Sequence, residues 1–139
     1  MAWSDFSWWT LLVAAIVQMA GGMLWYGPIF GRAWMQAMSI DPDDKAKIAE
    51  MQKTAGPGYA ASLIFAVVFG YVVDVLLASL LISSVFSALA AVFGLWVAFT
   101  LANTSKAVFW GEMNPRVLAI NSGFEVLFVG LVTVAAFIL

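Results

Sequence analysis

Cysteine and histidine are both missing from this chain of 139 residues, and charged residues make up only 10% of it. Without thiol or imidazole there are no disulfides, no iron–sulfur clusters, no haem held by His or Cys, no Cys nucleophile and no His general base. No cofactor is expected. Charge this sparse also excludes an ordinary soluble domain, of which about a quarter is charged. No basic patch offers a surface to nucleic acid. No Lys or Arg precedes the first apolar run in "MAWSDFSWW", so that run is expected to be a retained span and not a cleaved leader. What the chain has in abundance is apolar surface: 64% of residues are hydrophobic and the mean hydropathy is +0.99. Its first partner is therefore the lipid bilayer.

A helix needs about 20 mostly apolar residues to cross roughly 30 Å of hydrocarbon. Stretches of about 6–27, 57–79, 83–108 and 115–139 have that length. The expected fold is all-α: an integral membrane four-helix bundle forming a single domain over 1–139. A short interfacial helical segment should interrupt it within 28–56, between spans one and two. Its end signals predict a helix over 42–55. Asp41 suits the N-cap and Pro42 the first helical position, while Asp43 and Asp44 complement the N-terminal dipole. Lys53 falls in the last turn, and Gly56-Pro57 stops the helix. Ile48, Met51 and Ala55 give it one apolar face toward the membrane surface.

All six basic residues fall on one side of a four-span topology. Arg32, Lys45, Lys47 and Lys53 lie in the first connection; Lys106 and Arg116 flank the third. The N-terminus, the second connection and the C-terminus hold none. The bias of Lys and Arg toward the cytoplasm predicts both termini outside. Trp3, Trp8 and Trp9 would form an outer aromatic belt, and Trp25, Tyr26, Trp34, Tyr59 and Trp110 an inner one.

The stretch "LWYGPIFGRAWMQ", residues 24–36, reads as the exit from span one. Trp25 and Tyr26 are expected at headgroup depth, and Pro28 to end the span at Gly27. Arg32 would face phosphates and Trp34 would dip inward, so Trp25, Tyr26, Pro28, Arg32 and Trp34 together act as interfacial anchors. The Trp-Tyr pair, a Pro two residues later, and Phe30-Gly31-basic-x-Trp34-Met35 resemble the signature of a small bacterial membrane family, catalogued as domain of unknown function 1761. A second match lies at "INSGFEVLFVGLV", where Asn-x-Gly precedes an apolar run. The resemblance covers nearly the whole chain. It implies four spans and a bacterial cytoplasmic membrane, and it carries no assigned activity.

Polar residues inside the spans are the candidate site. Glu125 falls near the middle of span four, with Asn121 one turn before it. Gln18 reaches a similar depth on span one, and Asn103 lies deeper on span three. These four are expected to form one cluster, while Asp74 lies nearer the outer surface. An ionised carboxylate at mid-membrane costs about 2.5–3.5 kcal/mol on insertion scales, so it needs a partner or a cavity. The cluster reads either as a proton- or ligand-binding pocket, or as a protonated Glu125 hydrogen-bonded to Asn or Gln and joining helices. For Asp74 the readings are a functional carboxylate or a hydrated local cap.

Small residues form stripes on two spans: Ser62, Ala66 and Gly70 on span two, and Ala91, Gly94 and Ala98 on span three. Such stripes let helices approach closely in lipid, and the Ser62–Ala66–Gly70 stripe is the better candidate for a contact between subunits. The expected function is non-enzymatic: a homo-oligomer, or an accessory subunit of a larger membrane complex, whose role is assembly. The alternative is a small oligomeric channel or transporter using Glu125 and Asp74. An intramembrane enzyme is disfavoured, because no nucleophile–base pair is evident.

Overall fold

In the computed structural model, which describes residues 3–139, the chain alternates long apolar helices with short polar ones. The long helices are α1 (Trp8–Ile29), α4 (Gly56–Ser79), α5 (Val85–Phe109) and α6 (Pro115–Ile138). Between the first two lie α2 (Gly31–Ala37) and α3 (Lys45–Lys53). The protein is thus all-helical, with four helices long and apolar enough to cross a membrane.

Local chemistry sets the ends. Ser7 Oγ accepts from Trp9 N–H at the start of α1, and Ser84 Oγ accepts from Ser87 N–H at the start of α5. Asn114 caps α6, with Pro115 in the first turn. Three helices end in the same way, with a residue of positive φ and a paired return of the chain onto the last turn. At α2 this residue is Ser39 (φ 60°), after α4 it is Leu81 (φ 51°), and after α5 it is Gly111 (φ 72°). In each, the amide one residue further reaches back five positions: Ile40 to Met35, Ile82 to Leu77 and Glu112 to Ala107.

The predicted helix over 42–55 begins three residues late. Asp44, not Asp41, is the N-cap, its Oδ1 accepting from Lys47 N–H at 3.1 Å. Asp41 instead closes a turn by accepting from Asp43 N–H at 2.9 Å, which removes Pro42 and Asp43 from the helix. Two aspartates competed for one cap, and the one followed by the better helix formers took it. Within α3 every residue is exposed apart from half-buried Ile48.

Helix α6 is the centre of the bundle, packing against α1, α4 and α5, while α1 and α4 form the other extensive pair. Ala14, Ala66, Val73, Ala88, Val92, Phe128, Val129 and Val132 make the buried core. The stripe on α4 is consumed inside the chain: Ala66 is buried, and a Cβ at Gly70 would stand 3.1 Å from Ala14 Cβ. On α5 the packed face runs instead through Ala88 and Val92. Ala91 is half-buried, and Gly94 and Ala98 face away from the bundle. Reading α5 by small residues alone chose the outer face, because Val92 fills the groove beside α6 better than a glycine would.

Both termini and the α4–α5 turn lie at one end of the bundle, the terminal end. The six basic residues lie at or beside the connections of the other, the basic end.

Candidate functional site

Three of the long-helix segments depart from regular α-geometry and widen to i→i+5 turns: Val17–Gly21 and Trp25–Ile29 in α1, and Trp96–Leu101 in α5. Each carries a polar side chain that meets the same region of α6. Wide turns rotate side chains out of register with the rest of a helix, and they recur at functional positions. Here they present Gln18, Tyr26 and Trp96.

The opening motif runs through the widened turn at 25–29. Gly27 is non-helical (φ −104°, ψ −105°), the break that Pro28 predicts, and the chain kinks there; Phe30 N–H reaches back to Trp25 O at 2.8 Å across Pro28, which has no amide hydrogen to give. Trp25 and Tyr26 turn their polar edges into the bundle. The indole Nε1 of Trp25 donates to Ile120 O at 2.9 Å, and the Tyr26 hydroxyl donates to Asn121 Oδ1 at 2.8 Å. Both rings turn in against α6 because their polar edges find acceptors there, and a dry site rewards a made hydrogen bond. Gly123 allows the approach: a Cβ there would stand 2.8 Å from Trp25 Cζ2. The two stretches "LWYGPIF" and "INSGFE" are thus one structural unit, the first docked on the second. Trp34 completes it, edge-on to Tyr26 with centroids 6.0 Å apart. Arg32 remains outside, paired with Asp43 at 3.4 Å, both side chains well exposed.

Beside this dock lies a half-open cavity of about 320 Å³ lined by Gln18, Tyr26, Ser62, Asn121, Phe124, Glu125 and Phe128. It takes residues from α1, α4 and α6. Glu125, near the midpoint of α6, is held from the fourth long helix: Trp96 Nε1 donates to its Oε2 at 2.8 Å. Among the described residues Glu125 is the only charged group in the lining.

Of the four residues expected to cluster, Gln18, Asn121 and Glu125 share this cavity. Asn103 does not. It sits on the exposed face of α5, donating to Phe99 O at 2.8 Å and accepting from Lys106 Nζ at 3.0 Å. It follows the widened turn at Trp96–Leu101, and its side chain faces away from Glu125. Ser62, assigned to helix packing from the sequence, faces the cavity. Tyr26 and Trp96 were not recognised as part of it. For Trp96 a signal existed: an indole N–H at mid-span, far from headgroups and water, requires an acceptor.

Asp74 belongs elsewhere. It is buried at the terminal end, and its Oδ2 accepts from Ser7 N–H at 2.7 Å. Ser7 is the N-cap of α1, so the carboxylate sits at a positive helix end. The Thr10 hydroxyl, one turn further on, faces the same group. A second cavity of about 380 Å³ adjoins it, lined by Asp5, Ser7, Asp74, Leu77, Ile82 and Phe137 among others. Asp74 caps a different helix from its own, a long-range form of the capping reading. Between the two cavities Ala14, Ala66, Val73, Val129 and Val132 form an apolar layer, with the fully buried Thr10 and Thr133 beside it.

Four apolar helices of membrane-crossing length around a polar internal cavity define a multi-pass membrane protein. The chain belongs to the family described as "Protein of unknown function (DUF1761)", whose model matches residues 9–138. No curated protein and no solved structure matches it.

Proposed function

We propose that this protein is a small channel- or transporter-like membrane protein whose working site is the cavity around Glu125. The single observation that carries this reading is a carboxylate near mid-span facing open space, supported on one side by an indole donor and lined with polar groups from three helices. A carboxylate that only joined helices would be enclosed by them. The reading favours the transport alternative over a purely architectural role. The experiment is gradient dissipation in proteoliposomes carrying proton, Na⁺, K⁺ or alkylammonium gradients. Glu125→Gln keeps shape and most hydrogen-bonding capacity, so the variant should assemble normally and lose the flux. Equal leak from both proteins, under every gradient, would remove the reading.

We also infer assembly as a homo-oligomer, or within a larger membrane complex. Helix α5 supports this, since it packs chiefly on α6 and presents Ala90, Gly94, Ala98 and Ala102 outward at every fourth position.

The distribution of Lys and Arg supports the bacterial cytoplasmic membrane with both termini outside and the basic end in the cytoplasm. The chain has no cysteine of its own, so single cysteines report cleanly. In intact cells a membrane-impermeant thiol reagent should modify Ser83→Cys and spare Ser39→Cys. The reverse pattern would invert the topology.

A further inference from the structure

We infer that the ligand of the Glu125 cavity is an organic ammonium cation bearing apolar substituents. This inference rests on the reading above that the cavity is the working site.

The charge follows from the lining. Glu125 is its only ionisable carboxylate, and no Lys or Arg lines it among the described residues. An ionised carboxylate at this depth is stabilised by a positive partner, which the chain does not supply. Trp96 engages one carboxylate oxygen; a ligand cation supplies the opposite charge.

The size and the walls then separate organic from inorganic cations. Ca²⁺ and Mg²⁺ take about six or more oxygens, and no group of three or more His, Cys, Asp or Glu among the described residues could hold a metal. The Asn121 amide oxygen already accepts from Tyr26. A cavity of about 320 Å³ is also far larger than one bare ion, given about 30 Å³ for each water of the liquid. Much of the remaining wall is aromatic. Tyr26 and Phe124 meet edge to face at 5.8 Å, and Phe124 lies 6.5 Å from Phe128, with both phenylalanines largely buried behind the cavity surface. Aromatic faces attract an alkylammonium through the ring quadrupole and cover its methyl groups at the same time. A carboxylate with adjoining rings therefore fits a charged nitrogen with carbon around it.

Benzyltrimethylammonium is the probe, added to the purified protein in nanodiscs with tryptophan fluorescence as the readout. Saturable binding is expected. Glu125→Gln should weaken it by about tenfold or more, as loss of a charge-assisted contact does. Neopentylbenzene, the neutral molecule of the same shape, should not compete, and neither should an equal concentration of Na⁺. Effective competition by the neutral isostere, or unchanged binding in Glu125→Gln, would overturn the inference. Glu125-dependent flux without ammonium binding would overturn it too, while leaving the cavity as the working site. Absence of both would remove the two together.

Discussion

Gly31→Ala should lower the thermal midpoint sharply and release Tyr26 from Asn121, although it adds a single methyl group, at a buried position in the first turn of α2. A Cβ at Gly31 would stand 2.6 Å from the backbone oxygen of Tyr26. The obstacle is main chain, so no rotamer change relieves it. The bend at Gly27 and the start of α2 would have to separate, pulling on the docked pair Trp25 and Tyr26 and so on the cavity wall. Overpacking of this kind costs about 3 kcal/mol. Gly58→Ala provides the comparison. Nothing lies within 4 Å of its added Cβ, and it sits in α4. Alanine there should leave stability unchanged or raise it by up to about 1 kcal/mol. Thermal unfolding in one detergent, with the summed fluorescence of the seven tryptophans as a second readout, measures both. Equal midpoints for Gly31→Ala and the unmutated protein would show that the kink region yields freely and that the dock does not depend on it.

Gly70→Leu and Gly94→Leu should separate packing inside the chain from packing between chains. Both glycines belong to small-residue stripes, and the one through Gly70 is the contact between subunits that the sequence favours. Gly70 faces α1, where an added Cβ lies 3.1 Å from Ala14 Cβ and 3.5 Å from Thr10 O. Leucine there forces α1 and α4 apart and should cost about 3 kcal/mol or more, reducing the folded fraction recovered in mild detergent. Gly94 has nothing within 4 Å. Leucine there should leave monomer folding intact and shift the mass distribution in nanodiscs toward the monomer. A stable, fully folded Gly70→Leu protein would contradict the α1–α4 packing. An unmutated protein that is monomeric under several mild conditions would remove the oligomer proposal, and the exposed stripe on α5 would then face lipid alone.

Much of the architecture follows from the sequence by itself. The four spans were legible because crossing hydrocarbon leaves a backbone no choice but helix, and length with hydropathy then suffices. The four long helices begin and end within about two residues of the apolar stretches, the usual uncertainty of a helix boundary. The grouping of Lys and Arg at one end, and the depth of Glu125 along α6, likewise follow from counting residues. Faces were another matter. Inside lipid every side of a span is apolar, so periodicity no longer marks which side is buried. The stripe through Gly70 is the better contact between subunits until its partner helix is known. Depth alone placed Asn103 with Glu125, whereas beyond the widened turn in α5 it faces outward. Trp25 and Tyr26 looked like headgroup anchors because their ring chemistry suits that depth. Only the approach of α6, with Ile120 O, Asn121 and the bare backbone of Gly123, gave their polar edges acceptors inside the bundle. Tertiary structure decided which polar groups meet, because hydrogen bonds between helices depend on the rotation of each helix about its axis, and that rotation is fixed by packing.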